Sequence, residues 1–186
     1  RSVMELSYTL YLVQPSEEQL FSFLKLFLKE GFWLENASFK TIRFWCYKVY
    51  HTPVQKDKLG VYELKVTFSC HPTKWFKTTT SQVFRTSGTL RSQGSAIAFP
   101  KITISGNSSS ETSFTIGDDV IRLERLQETL IMDNNPSQPS FKTQRGQPVK
   151  WSGDFISIDA ARNDSVGVVL GAGITSLTIE MNWGWA

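Results

Sequence analysis

Among side chains able to act as nucleophile, base or metal ligand, this 186-residue chain offers two histidines, two cysteines and a few paired carboxylates. His51 and His71 each sit near a proline at the end of a strand-like run, and nothing in the sequence places either next to a nucleophile, as a hydrolytic triad requires. Asp118-Asp119, and Asp154 with Asp159, have the chemistry of a glycosidase acid–base pair. Carboxylates at turns, however, are far more often solvated or bonded to backbone. Cys46 and Cys70 close apolar alternations, as buried reduced thiols do. A disulfide between them stays open, whereas the lack of C-x-x-C removes the usual basis for zinc. No Asp-x-Asp-x-Asp-Gly calcium loop is present. Gly171-Ala172-Gly173 lacks the lysine and following helix of a phosphate loop and reads as a hairpin turn. These patterns give no catalytic residue, no metal ligand and no cofactor, and the expectation is a protein that is not an enzyme.

The six tryptophans are the remaining candidates. Trp183-x-Trp185 has the period of a strand, which predicts both rings on one face. Together with Trp151 they are what a carbohydrate-binding module would use as stacking platforms for cell-wall glycans. The competing reading places them in a core or a domain junction. Lys74, Lys77, Arg85 and Arg91 beside Trp75 and Phe76 make a loose basic–aromatic patch, without the pattern of a nucleic-acid-binding module.

The elements that must position these residues are mostly strands. Residues 3–13 alternate, with Met4, Leu6, Tyr8, Leu10 and Leu12 on one side. Runs at 40–50 and 61–70 are rich in aromatic and β-branched residues. Between them, residues 15–33 carry the one clear helix, predicted over 16–30. Ser16 and Gln19 form a capping box, Glu17 and Glu18 suit the first turn, and Gly31 suits the end. At about 100° per residue, Leu20, Phe21, Phe23, Leu24, Phe27 and Leu28 span an apolar arc of about 160°. That width fits either one deep core contact or two contacts, one with its own sheet and one with another chain; in the second reading Phe21, Leu24 and Leu28 are the candidate oligomer-interface residues.

A Ser/Thr/Gly-rich stretch around 78–95 reads as a boundary, predicting domains at 1–92 and 93–186. Residues 1–92 hold 13 Lys+Arg against 7 Asp+Glu; residues 93–186 hold 7 against 10. The total of +3 is too small to argue nucleic acid. The second half is a series of short strands separated by turns, the pattern of a β-sandwich or jelly roll. No apolar run approaches the roughly 18 residues of a membrane span.

At "YELKVTFSCHPTKWF" the chain resembles the distal tail protein (Dit) family of phages with long non-contractile tails. "YTLYLVQPSEEQLFSFLKLFLKEGFWLE" is similar to the strand–helix–turn of that family's first domain. "SQGSAIAFPKITISG" is similar to the entry into its second domain, and "WSGDFISIDAARNDSV" and "SLTIEMNWGWA" to that domain's last strands. The resemblance implies a mainly β protein: a β-sandwich or split-barrel-like first domain with one helix, then a galectin-like β-sandwich. It implies a structural role in the virion tail, assembled in the host cytoplasm, as a ring (usually a homohexamer) that joins the tail tube to the tail-tip hub and to receptor-binding or baseplate proteins. A lumen passing the genome without reading its sequence would follow. Members carry further strands before the point where this chain begins, which implies a shortened form.

Overall fold

The computed structural model describes residues 3–186. The chain divides into two compact units, one ending at Trp75 and the other spanning Phe76–Ala186.

In the first unit, β1 (Met4–Val13) leads to α1 (Glu17–Lys25), a single 3-10 turn (Leu26–Leu28), β2 (Phe32–Leu34), β3 (Ile42–His51), β4 (Gln55–Lys56) and β5 (Val61–Phe76). The sheet order is β1-β5-β3-β2, with β4 also beside β5. β1 and β5 are antiparallel, and Leu6↔Phe68, Tyr8↔Val66 and Leu10↔Leu64 lie opposite each other on one face. β5 continues through His71-Pro72, where the sequence pattern weakens. β1 reaches only to Cys70, so the missing N–H of Pro72 falls beyond that ladder.

The capping box forms as expected. The Gln19 N–H donates to Ser16 Oγ at 3.2 Å, and the Ser16 N–H donates to Gln19 Oε1 at 2.9 Å. The helix is nevertheless shorter than the predicted 16–30. It tightens into the 3-10 turn after Lys25, and Lys29 is already extended with ψ 141°. Gly31, at φ +65°, then turns the chain into β2 while its N–H bonds Tyr47 O.

The second unit begins with β6 (Thr80–Phe84), β7 (Gly88–Arg91), β8 (Ile97–Ala98), β9 (Lys101–Gly106), β10 (Thr112–Ile116) and β11 (Asp119–Leu123). It continues with β12 (Leu130–Asp133), β13 (Ser140–Thr143), β14 (Trp151–Ser152), β15 (Ile158–Asp159), β16 (Ser165–Leu170) and β17 (Ile174–Met181). Two five-stranded antiparallel sheets, β14-β11-β10-β16-β7 and β13-β12-β9-β17-β6, face each other as a sandwich. Inward residues alternate along each strand: Phe114 and Ile116 from one sheet, Ile102, Ile104, Leu177 and Ile179 from the other.

The boundary at 92/93 expected from composition is therefore displaced. The polar stretch that suggested it contains β6 and β7, which pair with β17 and β16. Lys77, Arg85 and Arg91 move with it, so residues 1–75 carry 10 Lys+Arg and 7 Asp+Glu, and residues 76–186 carry 10 of each. The basic-first, acidic-second contrast reduces to +3 against zero.

The two units differ sharply in what they bury. The second has one continuous cluster of 22 buried apolar residues. Among the described residues of the first, Ile42, Phe44, Cys46, Leu64, Val66 and Cys70 are the buried apolar side chains, and the inward residues of β1 are only half-buried. All its described strands join a single sheet rather than the two layers of a sandwich.

Asn134 is a buried polar joint in the second unit. Its Nδ2 donates to Pro100 O at 2.7 Å, and its Oδ1 accepts from the Ile156 N–H at 2.7 Å. Asn134→Ala orphans that buried N–H and is expected to cost about 2–3 kcal/mol, read as a lower urea midpoint. Asn135→Ala next to it, at an exposed turn, should cost clearly less.

Candidate functional site

The helix of the first unit has no buried residue. Of the three expected interface residues, Phe21 is 60% exposed and Leu28 79% exposed, while Leu24 is half-buried. Leu20, Phe23 and Phe27 are also half-buried, and the Phe23 and Phe27 rings meet edge-on at 5.1 Å. Phe27 reaches back to the His51 ring on β3 at 5.9 Å. Leu26 is exposed as well. The 3-10 turn advances about 120° per residue instead of 100°, so residues 26–28 leave the projected positions. Phe21 and Leu28 thus form an outward apolar flank, and Leu26 is exposed on another side.

The three tryptophans considered for sugar binding are placed differently. Trp183 is 1% exposed, and its indole N–H donates to Thr80 Oγ1 at 2.9 Å. It is a core residue and cannot serve as a stacking platform. Nor does it share a strand with Trp185: β17 ends at Met181 and the backbone is irregular at 182–183, which breaks the period-2 relation. Trp185 is exposed and contacts Phe76 edge-on at 5.8 Å. Trp151 sits between Phe141 and Phe155, at 5.3 and 5.2 Å, and borders a groove of about 260 Å³ lined also by Glu111, Arg122, Glu124 and Lys150. That volume falls below the usual range for small-molecule pockets.

The acid–base candidates are not assembled as the sequence paired them. Asp159 caps a turn, accepting from the Ala161 N–H at 3.1 Å, and pairs with Arg162 at 3.3 Å. Asp154 instead lies near Asp119, whose carboxyl is pushed up by burial first and then by Asp154 and Asp118. His71 packs between the Tyr47 and Trp75 rings, and its Nδ1 accepts from the Thr73 N–H at 3.1 Å. His51 is exposed, with Nδ1 2.8 Å from Thr52 O. Among the described residues no three His, Cys, Asp or Glu are grouped to hold a metal, and no helix is long and apolar enough to cross a membrane.

Cys46 and Cys70 are free and fully buried. Burial pushes both thiols up, Cys70 to about 12 with the neighbouring Cys46 adding to the effect. A thiol raised in the folded state keeps its proton while the unfolded chain loses it. Its stabilising contribution is therefore complete below the unfolded value near 9 and is lost as pH climbs toward 12. Native protein at pH 8 is expected to leave both thiols unmodified by an aromatic disulfide reagent, with two equivalents reacting in denaturant. Stability should fall between pH 9 and the folded values.

No family model matches the chain, and no curated protein matches its sequence. Two solved structures are similar. One is the Dit (gp 19.1) protein of phage SPP1, described as a paradigm of the hub adsorption apparatus in phages infecting Gram-positive bacteria. Its TM-score is 0.71 at 10% identity, over 100% of this chain and 80% of that one. The other is the baseplate of phage P2 in its activated conformation with Ca, with a TM-score of 0.47 at 11% identity, over 97% and 79% of the two chains. The likeness to the SPP1 protein holds along the whole sequence: this chain has the mainly β fold of a Dit distal tail protein.

Proposed function

We propose that the chain is a structural component of a phage tail tip. In this reading copies of the first unit form a closed ring, a hexamer in the leading version. The ring connects the tail tube to the tail-tip hub and to receptor-binding or baseplate proteins in the virion, and no reaction is catalysed. The fold shared with a hub adsorption protein supports the setting. The observation that carries assembly is the helix whose apolar flank its own unit leaves open. A ring closes through head-to-tail contacts, so each copy needs two different adhesive surfaces, and a helix half-buried on one side and bare on the other supplies one of them. The second unit, a galectin-like sandwich in this reading, carries its own continuous core.

Burying a Phe or Leu side chain is worth about 1.5–3 kcal/mol, and each 1.4 kcal/mol is about tenfold in affinity. Phe21→Asp and Leu28→Asp are expected to weaken self-association at least tenfold in a solution mass measurement. Because both side chains are exposed, the unfolding midpoint should stay nearly unchanged. Variants that remain fully assembled, or that simply unfold, would remove the interface from the helix.

A second reading keeps the groove beside Trp151 as a site for a single sugar ring, with Arg122, Glu124 and Lys150 as polar contacts. Fluorescence titration with cell-wall glycan fragments tests it: saturable quenching that Trp151→Ala abolishes supports binding, and a flat titration ends it.

A further inference from the structure

The ring reading requires a second adhesive surface on the first unit, and a particular one stands at the hairpin end of its sheet. The loop between β4 and β5 is tightly built: Asp57 Oδ1 accepts from the Leu59 and Val61 N–H groups, both at 2.8 Å. Gln14 locks it from the other side, donating from its backbone N–H to Gly60 O at 3.0 Å and from Nε2 to Leu59 O at 3.4 Å. To do so Gln14 takes φ +44°, a conformation a non-glycine side chain holds only at a cost. What this presents to solvent is Leu59, 77% exposed at the loop tip. Exposed Val13 lies opposite Val61, and exposed Tyr11 opposite Glu63. A loop whose backbone is already fixed by hydrogen bonds loses little further backbone entropy when it docks.

The charges around this patch run in the opposite sense to those of the helix flank. Along the helix, Glu17, Phe21, Lys25 and Leu28 are all exposed, at spacings that keep them on one side, so the order is acidic, apolar, basic, apolar. From the loop tip down the sheet, Lys58 is followed by Leu59, by Val13 with Val61, and then by Glu63, all exposed but Val61, so the two ends are basic and acidic, while the neighbouring Lys56 and Asp57 are of opposite sign and offset each other. From Glu17 to Lys25 is about 12 Å along the helix. We infer that the Leu59–Val13–Tyr11 patch of one copy receives the Phe21–Leu28 helix flank of the next. Lys58 then faces Glu17, and Glu63 faces Lys25. This pairing rests on the ring reading and specifies the contact within it.

The test uses the whole chain and two variants measured by solution mass. Phe21→Asp and Leu59→Asp should each be monomeric where the wild type is oligomeric. Mixed one to one they should form dimers and nothing larger, since the intact helix of the Leu59→Asp chain still fits the intact patch of the Phe21→Asp chain. Charge reversal tests the pairing without touching an apolar side chain: Glu17→Lys or Lys58→Glu alone should weaken assembly severalfold, and both in one chain should restore it. A Leu59→Asp chain that assembles like wild type, a mixture that stays monomeric, or a double reversal without recovery overturns this pairing and leaves the ring standing. A wild type that is monomeric at high concentration overturns both.

Discussion

A sheet has two faces, and the described residues of the first unit leave many of its apolar side chains half-buried or exposed. Its long strands β1 and β3 have ten residues each, about 33 Å. Its helix of nine residues is about 14 Å long. One element of that length cannot roof one face of such a sheet. The consequences are visible residue by residue: β1 alternates correctly yet buries nothing completely, the helix is half-sunk, and loop residues such as Phe39, edge-on to Phe44 at 6.0 Å, patch what they can reach. The exposed apolar side chains of this unit follow from that shortage of cover.

The second unit solves the same problem by itself. Two sheets of equal strand number place their inward residues against each other, and the buried polar groups of Asn134 and Trp183 Nε1 are hydrogen-bonded. Where the first unit relies on aromatic and cation–π contacts at its surface, such as Arg43 at 4.1 Å over the Trp33 ring, the second relies on interdigitated aliphatic side chains. A unit with a closed core suits independent folding, and a unit with an open one suits association.

The longer strands and the helix start were legible because they rest on local patterns. Alternation from Met4 to Val13 and the Ser16/Gln19 box need no distant partner. The helix end was overestimated because the composition of 26–30 favours helix, while the turn into β2 needs the tighter winding of Leu26–Leu28. Trp183 and Trp185 were read as a pair because a period of 2 assumes an unbroken strand, and the irregular backbone after Met181 sends one inward and leaves the other outside. The Leu59 patch was missed because its loop is polar in composition; the signal available was a lone leucine between a lysine and a glycine, beside an Asp suited to a turn.

The boundary near residue 92 was misjudged for a different reason, and that reason has a kinetic side. Strands β6 and β7 carry little apolar signal because they are edge strands with one buried apolar residue each, Phe84 and Leu90, and their partners lie far along the chain: Thr80 pairs with Met181 and Arg91 with Ser165, roughly 75 to 100 residues away. One edge strand of each sheet therefore cannot be seated until β16 and β17 have left the ribosome. High contact order of this kind slows folding, and it leaves a nascent sandwich with an unclosed seam whose protection during synthesis falls to chaperones or to the speed of the final strand's arrival.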